Sequence, residues 1–308
     1  MLLAGRIAHH RLLVALSLFA FAAAGVFPGL ARSPLTLFLL LLLVGAATGV
    51  LDVAINARAS ALETGLGIRV MDGLHAAFSA GVLVGGIGAG LLRKGGAHPW
   101  TILTGVCIVI LVAGIANLRA ERLPASPARR SRLERGLLVI GVVLAVAFIV
   151  ENGVEAWSAL FLERGLGSSP AISGLGPGLF AGAMLAGRLL AQKAEGTSVA
   201  GRMIFAGIAS ATGVAVAATA TSPAVALVGF VVAGGGLALS APTLFGAAGR
   251  LGGGAAISSV AVLGYLGFLA GPPLFGAIAG ATSLRGGLLF LCGTAVLLAA
   301  CAPALRGL

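Results

Sequence analysis

Apolar runs of about twenty residues alternate along the chain with short clusters of turn-forming and charged residues, a length suited to spanning hydrocarbon. The runs lie at 12–31, 35–57, 73–92, 100–118, 137–160, 171–191, 200–220, 223–247, 255–281 and 286–305. The clusters "ARSP", "RKGGAHP", "ERGLGSSP", "TATSP", "GRLGGG" and "TSLRG" punctuate them. A helix rising about 1.5 Å per residue needs about 20 residues to cross a ~30 Å core. Barrel strands are about half that length and alternate in polarity, which these runs do not. The pattern predicts an all-α, polytopic membrane protein of ten transmembrane helices.

Composition agrees: 59% of the 308 residues are hydrophobic and 9% charged, with a mean hydropathy of +1.10. The net charge of +11 raises the question of a nucleic-acid partner. Alternate allotment of the loops puts Arg32, Arg93, Lys94, Arg164 and Arg285 on one side and the other fifteen of the 20 basic residues, Arg188 among them, on the opposite side. By the positive-inside rule the richer side is cytoplasmic, which predicts cytoplasmic termini, a bacterial inner membrane and anionic lipid as the natural partner. No nucleic acid is needed. Arg6 and Arg11 before the first run resemble a secretory leader, but without a convincing cleavage site the run is expected to be retained. Cys107, Cys292 and Cys301 lack zinc or redox spacing and read as small buried hydrophobes. The sequence points to no metal, no cofactor and no enzyme.

The longest polar stretch, "RAERLPASPARRSRLERG" at 119–136, reads as a cytoplasmic linker between a four-helix bundle, 1–118, and a six-helix bundle, 137–308. The bundles are related: "HAAFSAGVLVGGIGAG" (75–90) aligns without gaps on "YLGFLAGPPLFGAIAG" (265–280), with Gly81 on Gly271, Gly86 on Gly276 and Gly90 on Gly280. An even number of runs separates the copies, so they cross the membrane in the same direction, as a parallel repeat. The runs at 137–160 and 171–191 have no counterpart in the first half, so the expected architecture is a 6+6 bundle without its first two helices. With that architecture the chain is expected either to form a homodimer that covers the gap or to hold Asp52 protonated.

Polar residues inside the runs are the candidates for chemistry. Asp52 and Asn56 in "LDVAINAR" stand at i and i+4 and share one helix face. They serve either as a helix-end group paired with Arg58 or His75, or as a protonatable carboxylate beside a cavity. Glu151 and Glu155 form a second i, i+4 pair, continued by Ser158. His75 and its repeat partner Tyr265 are candidates to line the same polar pathway. "GGIGAG" (85–90) lies inside a run without a preceding strand, so it is not a nucleotide loop; Gly81, Gly85, Gly86 and Gly90 give small-residue spacing for close helix contact. Gly271, Pro272 and Pro273 predict a break or hinge in the matching helix.

These motifs, with "GAATGVLDVAINARASALE", "LHAAFSAGVLVGG", "EAWSALFLERGLGSSPAISGLGPGLFAGAMLAGRLL" and "LGYLGFLAGPPLFG", resemble the major facilitator superfamily, nearest its fucose-permease-like branch of sugar/proton symporters. The resemblance covers essentially the whole chain. It implies an MFS-type fold of two parallel-repeat bundles and transport of a small polar solute, such as a sugar, by alternating access with proton coupling. It also implies a proton or substrate role for an acid at Asp52 and an acid before "WSA", which is Glu155. Two departures stand out: the missing helices, and the degraded cytoplasmic loop motif, with His9 and His10 or Ala191 and Gln192 where Asp and Arg are expected. Efflux of amphipathic compounds and a non-transporting membrane remnant stay open beside the transport of a polar solute.

Overall fold

The computed structural model describes residues 12–66, 70–119, 135–191 and 197–307. Within them the chain forms ten principal helices: α1 (Leu13–Gly25), α2 (Pro34–Leu66), α3 (Met71–Lys94), α4 (Pro99–Asn117), α5 (Arg135–Leu160), α6 (Leu175–Ala191), α7 (Val199–Thr219), α8 (Pro223–Leu237), α9 (Ser240–Ala281) and α10 (Leu284–Cys301). A π turn, Phe161–Gly165, extends α5, and a single turn, Pro170–Ser173, precedes α6. Ten helical stretches are long and apolar enough to cross a membrane, and they coincide with the ten predicted runs to within a few residues. The linker core, 120–134, and residues 1–11 lie outside the described residues.

Helix starts follow the punctuation of the sequence. Pro34, Pro99, Pro170 and Pro223 each occupy a first helical position, where the missing N–H breaks no helical bond. Ser198 and Ser283 cap α7 and α10 by accepting from the N–H groups of Gly201 and Gly286, each at 3.1 Å.

The chain divides into two compact units, Met1–Ala77 with Gly95–Pro127, and Phe78–Lys94 with Ala128–Leu308. The segment 78–94 thus groups with the later helices. In the first unit α1 packs on α4, with Phe19 against Gly114 and Gly25 against Cys107, while Leu13 and Val14 meet Leu51 and Ala54 of α2. In the second unit α5 is the core helix, packed along α9 and against α6 and α10. Ile140, Leu144, Val150 and Val154 of α5 are fully buried with Phe180, Met184, Phe230, Phe275 and Leu288. Gly267 and Gly271 of α9 sit one turn apart directly on the α5 backbone at Ala145 and Ile149, where any side chain would clash.

The "GRLGGG" cluster separates two membrane-length stretches, Pro223–Gly252 and Ala256–Ala281, as the sequence pattern predicts, although the backbone stays helical from Ser240 to Ala281. The helix bends there: a Cβ at Gly249 would lie 3.4 Å from Ile257 Cδ1, whereas eight residues of straight helix span about 12 Å. Glycine tolerates that bend because no side chain crowds its inner side. One expectation needs correction in α9: Pro272 and Pro273 do not break the helix. Pro272 cannot donate to the carbonyl of Phe268, four residues back, but Asn152 Nδ2 of α5 donates to that carbonyl at 2.6 Å. Trp157 Nε1 donates to the Pro272 carbonyl at 3.1 Å.

Candidate functional site

The turn of α5 that carries Glu151, Asn152 and Glu155 is the polar centre of the second unit. Glu151 is 6% exposed and follows an apolar run, 137–150, on the same helix. Its Oε1 accepts from Arg188 Nη2 of α6 at 3.4 Å. Arg188 Nη1 donates to Ser79 Oγ of α3 at 2.9 Å, and Ser79 is itself buried. Glu155, one turn along the same face, is half-buried and within electrostatic reach of Glu151 and Arg188. Ser158 continues the stripe, fully buried against Gly176.

The site is not fully satisfied. Glu151 Oε2 and Ser158 Oγ are buried and have no hydrogen-bond partner among the described residues. A buried acceptor left unpaired costs about 1–3 kcal/mol, and more if charged, so each of these oxygens calls for a donor beyond those described.

Aromatic side chains pack between α5 and α9. Tyr265 of α9 lies 6.3 Å, centroid to centroid, from Phe148 and 6.4 Å from Phe268. Trp157 stacks on Phe275 at 4.8 Å. Toward one end of the unit, Arg93 of α3 forms a bidentate pair with Glu163, both bonds at 2.8 Å.

Asp52 and Asn56 belong to the first unit, partly buried on α2. Asn56 Nδ2 donates to both the carbonyl and Oδ1 of Asp52, each at 2.9 Å, so the pair satisfies itself within one helical turn. His75 lies on α3, and its side chain is outside the described residues. Of the glycines, Gly86 and Gly90 close on Gly174, with a Cβ at Gly90 falling 2.7 Å from the Pro170 carbonyl. Gly81 and Gly85 make no such approach among the described residues.

Arg188 was missed by sequence reasoning, which assigned it to the cytoplasmic charge excess. It is instead a partly buried partner of Glu151, its side chain 15% exposed. The signal was present: the apolar stretch Pro170–Leu190 contains this one cation, and a cation in such a run calls for a carboxylate. Among the described residues no group of three or more His, Cys, Asp or Glu side chains is placed to hold a metal.

The helical order and this packing can be compared with known proteins. No family model matches the chain. A nucleoside transporter, NupG, superimposes with a TM-score of 0.72 at 14% identity, over 99% of this chain and 86% of that one. The fold is that of the major facilitator superfamily. FucP, a transporter of that superfamily solved in an outward conformation, superimposes at a TM-score of 0.59 and 12% identity, again over 99% and 86%. An uncharacterized MFS-type transporter of Yersinia pestis is 34% identical over 225 residues, 71% of this chain and 59% of the relative. The chain thus spans about three fifths of that relative's length.

Proposed function

We propose that this chain is a secondary transporter of the major facilitator superfamily that moves a small polar solute by alternating access. One observation carries the proposal: a carboxylate, Glu151, buried in the core helix, bound to a cation from a second helix and retaining an unpaired oxygen. A purely structural ion pair gains nothing from a spare buried acceptor, whereas a solute hydroxyl or amide donor completes it. The similarity to an MFS-type transporter of Yersinia pestis supports the class. Solved proteins of this fold include a nucleoside transporter and a fucose:proton symporter, so fold alone selects no solute, and the sugar and the fucose-permease-like branch rest on the sequence motifs. On this reading Asp52 and Asn56 supply a second polar position in the first unit, and the inner membrane with cytoplasmic termini is the setting.

The test is uptake by the purified chain in liposomes under an imposed pH gradient, against a panel of sugars, nucleosides and amphipathic cations. Saturable uptake of one class, lost in Glu151→Gln, is the expected result. Uptake of none by well-folded protein refutes the proposal, and extrusion of the cations alone makes the protein an exporter.

A further inference from the structure

Three membrane-length stretches meet at one end of the second unit: Val199–Thr219 begins there, and Pro223–Gly252 and Leu284–Leu305 finish there. Their ends enclose a cavity of about 330 Å³, a volume in the ~300–1,000 Å³ range of small-molecule sites. Thr197, Ser198 and Val199 at the start of α7 form one wall, and Arg250 of α9 and Leu305 with Arg306 form the others. A 3-10 turn, Ala302–Leu305, packs on α7 and brings Arg306 to the rim.

The lining is cationic. Neither the Arg250 nor the Arg306 side chain makes a hydrogen bond or ion pair among the described residues, and no carboxylate lines the cavity among them. Ser198 Oγ already accepts from Gly201 N–H, so the start of α7 is capped and the unmet demand is that of two guanidiniums. A phosphate group meets it, because each planar guanidinium donates two parallel bonds to phosphate oxygens. The Ser198 hydroxyl still has its own proton to donate at the same rim. The ends of apolar stretches also mark the level of the lipid headgroups, roughly 15 Å from the membrane centre. Phe205, two turns into α7 on the face of Ser198, is 55% exposed and offers an apolar track for an acyl chain. One guanidinium balances a phospholipid's phosphate; the second repels the ammonium of a zwitterionic headgroup and selects a headgroup that is anionic overall.

We propose that this cavity binds the phosphate of an anionic phospholipid between Arg250 and Arg306. The basic excess of this side draws anionic lipid in general, whereas the cavity gives one headgroup a fixed place that bridges α7, α9 and the turn after α10. The site rests on the membrane fold and is independent of the solute that is moved.

The experiment uses the purified full-length chain in detergent. Phosphatidylglycerol, phosphatidylcholine with the same acyl chains, and inorganic phosphate are the probes, and bound mass is read by native mass spectrometry. Phosphatidylglycerol is expected to be preferred. Arg250→Gln and Arg306→Gln should each narrow that preference about fivefold, the weight of one basic residue at an anionic surface. Arg32→Gln, the same loss of charge at an exposed position of the first unit, should leave it unchanged. A phosphatidylglycerol with a photoreactive headgroup should crosslink at 197–200 and 305–307. Both arginines are exposed, so the variants should fold; should either fail, the crosslink on the unaltered chain decides. Equal binding of the two lipids, an equal loss in Arg32→Gln, or crosslinks only elsewhere overturns the proposal. Inorganic phosphate that binds as tightly as the lipid makes the site one for a soluble phosphate and overturns the lipid.

Discussion

Replacing Arg188 by Gln tests the geometry of the polar centre most directly. The substitution keeps a hydrogen-bonding head but removes the charge that balances Glu151. Breaking a buried pair by deleting one partner costs about 3–5 kcal/mol. The low end applies here, because 3.4 Å exceeds the ~2.7–2.9 Å of a strong charge-assisted bond. Ser79 loses its 2.9 Å donor as well, but that bond shares the same guanidinium and does not add in full. Destabilisation of about 3 kcal/mol is therefore expected, read as a shift in the denaturant midpoint of the purified protein. The double variant Glu151→Gln with Arg188→Gln carries no buried charge at this position and should recover about 1–3 kcal/mol of that loss. Wild-type stability in Arg188→Gln, or a double variant no better than the single one, would refute the ion pair as a structural coupling.

Asn152→Leu leaves the Phe268 carbonyl without its 2.6 Å donor and should cost about 1–3 kcal/mol in the same assay, while Asn152→Asp should not restore it. Gly90→Val drives a side chain into the Pro170 carbonyl and Gly174, with about 1–3 kcal/mol expected, whereas Gly81→Ala should stay within about 0.5 kcal/mol. Arg93→Ala removes an ion pair whose side chains are 41% and 29% exposed, so the loss should be only about 0.2–1 kcal/mol and shrink with added salt. Asp52→Asn should leave expression and thermal stability unchanged, since the amide still accepts from Asn56; loss of folding would make Asp52 a structural group.

The helices were legible because each signal was local. Runs of about twenty apolar residues and Ser-Pro or His-Pro boundaries fix where a membrane helix begins, and the helices starting at Pro34, Pro99 and Pro223 follow them. The site was half legible. Glu151 and Glu155 announce themselves as carboxyls spaced one turn apart in an apolar run. Arg188 did not, because its basic charge fits the charge asymmetry of loops equally well, and only the packing of α6 on α5 shows which role applies. The double proline misled for a related reason. Sequence shows that Phe268 loses a donor, but the replacement comes from Asn152, 116 positions away, and no local rule reports it.

Glu151 and Asn152 are neighbours in sequence but point about 100° apart around α5, so a single turn engages two helices at one level. Asn152 fixes α9 through a short neutral bond to a carbonyl that α9 cannot satisfy by itself, and the glycines at 267 and 271 press the two backbones together there. Those contacts tie α5 to α9 more tightly than one long ion pair ties α5 to α6. Glu151 holds α6 through a long 3.4 Å ionic contact, and its second oxygen has no partner among the described residues. Sliding α5 on α6 stretches only that long ionic contact, while the same slide against α9 would strand a carbonyl at about 1–3 kcal/mol. Motion within this unit is therefore expected at the α5–α6 contact. Distances measured by spin labels across α5 and α6 should change with pH, and those across α5 and α9 should not; equal shifts at both, or none at either, would mean that the ion pair is only a brace.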